Sequence, residues 1–192
     1  MNKISHNILC NKSRYERAHG RDFLVLEAMA VKGDTAMNGI LYPMSVVSAK
    51  AAELKNKPAP LSHPKKAGMH TSASDFFVKG AFDIGAQVID SKMKGDENIA
   101  EIWIDKEVAE RTDRGKDLLN RAENKMPIGV STGLIPRKVR NESGTDKLGQ
   151  KYSKVVEAFE YDHLALLLDE QAAGAAAGTQ IIYNESQEAL IV

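Results

Sequence analysis

Ser131 stands in "PIGVSTGLIP" (127–136), between Gly129 and Gly133 and among branched apolar residues. A strand that only fills a core has no use for a hydroxyl there. Two readings fit: a serine on a wet sheet face beside a bulge, or a nucleophile whose small neighbours leave room for a substrate backbone. A serine nucleophile needs a base to take its proton as it attacks. Of five histidines, His6 and His19 lie in a polar, basic stretch and read as solvated. His63 lies in "PLSHPKK", between Pro60 and Pro64, where a restricted backbone holds an imidazole in place at low entropic cost. The alternative is a loop histidine beside Lys65 and Lys66. His163, in "YDHLALLL", is either a satisfied core histidine or a donor that orients another imidazole. Strand alternation puts Tyr161, His163 and Ala165 on one face and Asp162, Leu164 and Leu166 on the other. Asp162 and His163 are therefore expected to point apart.

Other chemistries leave weaker traces. His63 and His70 are seven apart, His163 is distant, and neither HExxH nor CxxC occurs, so metal-ligand spacing is weak. No GxGxxG or GxxxxGK[ST] is present. "GVSTG" spells G-x-S-x-G, but the hydrolase elbow needs a helix next, where Leu134, Ile135 and Val139 continue an extended pattern. No metal and no cofactor is expected. The single cysteine, Cys10, excludes an intrachain disulfide, fits a reducing compartment and reads as an unremarkable thiol. Lys plus Arg equals Asp plus Glu, 26 each, which gives no pull toward nucleic acid or an anionic membrane. No apolar run approaches the roughly 20 residues that span a bilayer, and the N-terminus lacks a secretory signal. A soluble cytoplasmic protein is expected.

The elements that must hold these residues read as α+β. Residues 1–20 are expected as a polar arm, and "DFLVLEAMAV" (22–31) and "MNGILYP" (37–43) as strands of a hairpin or meander. A helix is expected over 44–57 with Ser45 as N-cap, ended by "PAP" at 58–60. Strands are expected over 78–90 and 99–105 around a turn at 92–98. An amphipathic helix over 106–124 is expected to bend at Gly115. The Ser131 strand follows, then a loop over 140–151 and one long or two short strands over 152–168. The domain plan is an arm (1–20), one catalytic domain (21–178) and a terminal strand or tail (179–192). The core is expected to be mostly antiparallel and barrel-like, with flanking helices.

"LSHP" with His63, "MPIGVSTGL" with Ser131 and "DHLALLL" with His163, in that order and separation, resemble the capsid maturation proteases. These are the prohead proteases of tailed bacteriophages, which share a fold with the herpesvirus assemblins. The resemblance covers roughly residues 22–178, with "GILYP", "IGAQV" and "AEIWID" in the expected order. It implies Ser131 as nucleophile, His63 as general base and His163 as third member of a Ser-His-His triad on an assemblin-like fold. Many phage relatives carry an acidic residue in the third place; a neutral histidine steadies an imidazolium less, which implies a slower enzyme. Where assemblins carry an arginine pair, this chain has Gln171 and Ala172. The oxyanion donors are then backbone amides near Thr132 and Gly133, or the side chains of Gln171 or Arg137. The activity implied is a serine endopeptidase that cleaves scaffold and major capsid proteins, and itself, inside the procapsid in the host cytoplasm. Its partners are protein substrates, with a homo-oligomer left open, no nucleic acid and no membrane. The alternatives are a non-catalytic assembly protein that keeps the fold, and a metal-dependent hydrolase using His63, His70 and His163.

Overall fold

Ten strands and four short helices make up the described residues, 8–168, of the structure, a computed structural model. β1 (Ile8–Ala18) and β2 (Arg21–Lys32) form a long hairpin whose turn, His19 and Gly20, takes positive φ at both positions. β2 then pairs with β8 (Glu97–Asp105), and β8 with β7 (Ala86–Lys94), all antiparallel. The other half is the hairpin of β9 (Gly129–Thr145) and β10 (Lys151–Leu167), joined to β1 through the start of β9. β3 (Thr35–Met37) and β4 (Ile40–Tyr42) add a small hairpin, with β4 parallel to β10. The sheet order is β3-β4-β10-β9-β1-β2-β8-β7, and β5 (Lys65–Lys66) and β6 (Met69–His70) form a separate exposed ribbon. The architecture is α+β and mostly antiparallel.

No strand closes this sheet into a barrel, which corrects the barrel-like core expected from the sequence. The gap between β7 and β10 is spanned by the proline segment after α1 (Met44–Lys50) and its 3-10 extension (Ala51–Leu54). On one side, Ala59 and Leu61 donate to the carbonyls of Ala86 and Phe82; on the other, Pro58 and Pro60 accept from the amides of Leu164 and Leu166. Proline has no N–H, so the segment can offer β10 only acceptors at 58 and 60 and cannot become a regular ladder strand.

The core lies between the sheet and the helices. Leu24, Leu26 and Ala28 of β2 meet Ile102 and Ile104 of β8, with Leu118, Leu119 and Ala122 of α4 (Asp113–Glu123) packed on the same cluster. Burying side chains of this size contributes roughly 1.5–3 kcal/mol each.

Several elements differ from the sequence reading. Residues 8–18 are a strand, not an arm, paired through their backbone to β9 at Ile8 and Leu9 and to β2 from Cys10 onward. Residues 37–43 do not pair with β2; they build the β3–β4 hairpin against β10. The first helix starts at Met44 after Pro43, and its free amide is held by Asp34 Oδ1 at 2.8 Å, so Ser45 is not its cap. Residues 78–82, expected as the start of a strand, belong to a helix, α2 (Phe76–Phe82). The 106–124 helix is two, α3 (Lys106–Ala109) and α4, split around Thr112, which caps α4 by accepting from the Gly115 amide. A Cβ on Gly115 would fall 2.0 Å from the Ala109 carbonyl oxygen, so the close approach of the two helices requires glycine. The expected loop 140–151 shrinks to 146–150, because both long strands run on. No helix among the described residues is long and apolar enough to cross a membrane. Gln171, Ala172 and the 179–192 segment lie outside the described residues, as does His6.

Candidate active site

Three elements bring chemistry to one place beside β10. In β9, Val130 and Leu134 enter the core, so Ser131 and Gly133 lie on the opposite face. In β10, Ala165 stands across from Ser131 and His163 across from Gly133. The proline segment runs parallel to β10 through a Leu61–Leu166 bridge, and the Ser62 amide donates to the Leu166 carbonyl at 2.7 Å. Ser62 then takes φ +70, a left-handed conformation costly for a residue with a Cβ, and the chain turns so that His63 follows. Arg114 of α4 donates to the Ser62 hydroxyl at 2.9 Å, which braces that turn.

His63 Nε2 lies 2.7 Å from Ser131 Oγ, and His63 Nδ1 lies 2.8 Å from His163 Nε2. Both ring nitrogens of His63 are thus engaged. The row continues: His163 Nδ1 is 2.6 Å from Asp162 Oδ2. Asp162 also accepts from the Ser72 hydroxyl and, at 2.9 Å, from the Ala73 amide. Ser131, His63, His163 and Asp162 therefore form one unbroken line of hydrogen bonds. Ser131 and His163 have no exposed surface and His63 retains 4 %.

The expectation that Asp162 and His163 point apart is wrong, and the reason is a β-bulge. Tyr161 opposes Leu134 while His163 opposes Gly133, so Asp162 is an extra residue with no partner of its own. A bulge of this kind breaks the two-residue alternation. Tyr161 accordingly shares the core with Leu164 and Leu166 rather than a face with His163. Burial pushes the Asp162 carboxyl up, but the hydrogen bonds from His163, Ser72 and Ala73 outweigh it and hold it down to about 2. The carboxylate is ionised at neutral pH.

Gly133 has a different role from the one expected. A Cβ there would lie 2.4 Å from His163 Cε1 and 2.5 Å from Nδ1. The space left by the missing side chain holds the imidazole, not a substrate backbone. Thr132 turns its hydroxyl away from Ser131, to the Ala30 carbonyl. Arg137 lies six residues along β9, roughly 20 Å at strand rise, and is exposed in an ion pair with Glu160 at 2.6 Å. Neither Thr132 through its side chain nor Arg137 reaches Ser131. His70, on the β5–β6 ribbon, sets its ring edge-on to His63 with centroids 5.7 Å apart. Among the described residues no three metal-ligating side chains converge to share an ion.

Asp162 was visible in the sequence but assigned to the wrong face. Ser72, Ala73 and Arg114 carried no signal in the linear order, because their partners lie 90, 89 and 52 residues away. A cavity of about 490 Å³ lies nearby, lined by Pro58, Pro60, Pro64, Phe82 and Gln87 among others, but neither Ser131 nor His63 lines it.

No family model matches the chain, and no curated protein matches it in sequence. Among solved structures it is similar to the capsid assembly protease of bacteriophage T4, with 12 % sequence identity and a TM-score of 0.49. The match covers 86 % of this chain and 95 % of that one.

Proposed function

We propose that the protein is a serine endopeptidase that works by acyl transfer, with Ser131 as nucleophile, His63 as general base and His163 behind it. The observation that carries this reading is the 2.7 Å contact of His63 Nε2 with Ser131 Oγ, with the second nitrogen of His63 held by His163. In the first step the Ser131 oxygen bonds to a peptide carbonyl carbon while its proton passes to His63 Nε2. The resulting imidazolium gives that proton to the departing amine as the C–N bond breaks. Water, deprotonated by His63, then releases the acyl group and restores the serine. On this reading the carboxylate behind His163 supplies the charge that a neutral third member lacks, and turnover is expected to be faster than that of a bare Ser-His-His triad.

The oxyanion donor proposed is one backbone amide, of Thr132 or of Gly133, whose N–H groups point to opposite edges of β9, assisted by the Arg114 guanidinium, which sits beside the residue preceding His63. This assignment replaces Arg137. The substrate class, scaffold and major capsid proteins within a phage procapsid together with the chain itself, rests on the sequence resemblance of the three motifs. An assemblin-like ancestry of the fold rests on the same resemblance.

One observation favours a second reading. Ser131 has no exposed surface, as expected of a chain that keeps the fold for assembly alone. Wild type and Ser131→Ala, each expressed with scaffold and capsid protein and weighed by intact-mass spectrometry, separate the two. Trimmed products from the wild type only support the peptidase. Identical masses from both leave the assembly role.

A further inference from the structure

We infer that Asp162 is a positioning residue that fixes the direction of every proton in the Ser131–His63–His163 row, its carboxylate held as an acceptor by the Ser72 hydroxyl and the Ala73 backbone amide. A row of two imidazoles can be ordered in two ways. In the productive order each ring carries its proton on Nδ1, so His163 donates to Asp162, His63 donates to His163, and His63 Nε2 is left bare to accept from Ser131. In the reverse order each ring carries its proton on Nε2, and His63 then donates to the Ser131 oxygen and cannot act as its base. Distances alone are the same for both orders.

What decides is the far end of the row. The oxygen that faces His163 Nδ1, Asp162 Oδ2, also accepts from the Ala73 amide at 2.9 Å. A backbone N–H is a donor only. With the Ser72 hydroxyl and the Ala73 amide both donating to it, the Asp162 carboxylate stays ionised and has no proton to give, so Oδ2 accepts from His163 Nδ1 as well, which leaves His163 Nε2 as acceptor for His63. The bulge is what makes this arrangement available, because it places Asp162 and its neighbour His163 where their side chains can bond each other. The inference deepens the peptidase reading and rests on it for its effect on rate, though the proton order itself does not depend on turnover.

The experiment reads tautomers directly, by long-range 1H–15N correlation spectra of the imidazoles in uniformly 15N-labelled protein. The same samples give the rate of phosphonylation of Ser131 by a fluorophosphonate probe, followed by intact mass. Wild type and Ser131→Ala are expected to show the Nδ1–H form at both His63 and His163. In Asp162→Asn the Ala73 amide still demands an oxygen in the Oδ2 place, so both rings keep their tautomer while the charge is lost. Asp162→Ala removes the acceptor; the tautomers should mix or reverse, and labelling should slow by about 10²–10⁴-fold, as for a base held in the wrong tautomer. Nε2–H at His163 of the wild type overturns the inference, whether or not the variants fold. So does Asp162→Ala with unchanged tautomers. If tautomers come out as assigned but Ser131 takes no probe and processes no protein, the peptidase reading fails while the proton order stands.

Discussion

Gly133→Ala tests the packing of the row more sharply than loss of any reacting group. The added methyl would sit 2.4 Å from His163 Cε1, 2.5 Å from Nδ1 and 2.8 Å from Nε2. Ordinary contact needs about 3.4 Å or more, so the ring must retreat by about 1 Å or the strands must part. His163 is tied at 2.8 Å to His63 and at 2.6 Å to Asp162, and a retreat of that size takes the first bond to roughly 3.8 Å, beyond hydrogen-bond range. Overpacking of this kind costs about 1–3 kcal/mol of stability. Because His63 loses its support without losing its own place, processing should fall by about 10²–10⁴-fold. Denaturant melts and cleavage rates are to be measured for Gly133→Ala, His163→Ala and the double variant. If the methyl acts through the ring, the double variant is no slower than His163→Ala alone. Losses that multiply, or a Gly133→Ala enzyme at wild-type rate, would show that Gly133 serves something other than the imidazole.

Four further outcomes follow from named contacts. Asp162 is held at about 2 against an ordinary 3.8, so it contributes stability that is full above about pH 4 and lost as pH falls toward 2, on the order of 2 kcal/mol. The gap between melts of wild type and Asp162→Asn should narrow by about 1 kcal/mol from pH 5 to pH 3, and a constant gap would refute this. Thr132→Val removes a buried donor to the Ala30 carbonyl and should cost about 1–3 kcal/mol while sparing the rate of the folded enzyme; an unchanged melt contradicts it. Arg137→Ala breaks an exposed ion pair and should leave both the melt and the cleavage rate essentially unchanged. Arg114→Ala should slow cleavage about tenfold or more, and the opposite ranking of these two arginines would restore Arg137 to the oxyanion.

The residues that converge were legible in the sequence because they are scarce: few histidines, one serine between glycines, and a recognisable order. Their geometry was not. Asp162 was misplaced because alternation assumes an unbroken strand, and a single inserted residue reverses the phase of all that follows. α2 was missed because "VKGAF" offers branched and aromatic residues that suit a strand equally well. The far end of β9, 140–145, reads as a loop because charge replaces apolar patterning there. Arg140 meets Glu157 across the ladder, and no hydrophobic period marks the pairing. The proline segment was expected to be extended, yet its place between β7 and β10 could not be read, since both sets of partners are distant in the chain.

The complete burial of Ser131 carries a kinetic consequence. No carbonyl can approach an oxygen that presents no surface, so on the peptidase reading every encounter waits for the molecule to open. Observed rates are then the intrinsic rate multiplied by the open fraction; at one molecule open in about a hundred, all substrates are slowed by about 100 alike. A short peptide and a whole coat protein would share that factor, and mild denaturant would speed both before it unfolds the chain. On the peptidase reading, burial of this kind would keep the nucleophile from its substrates until something shifts the opening equilibrium.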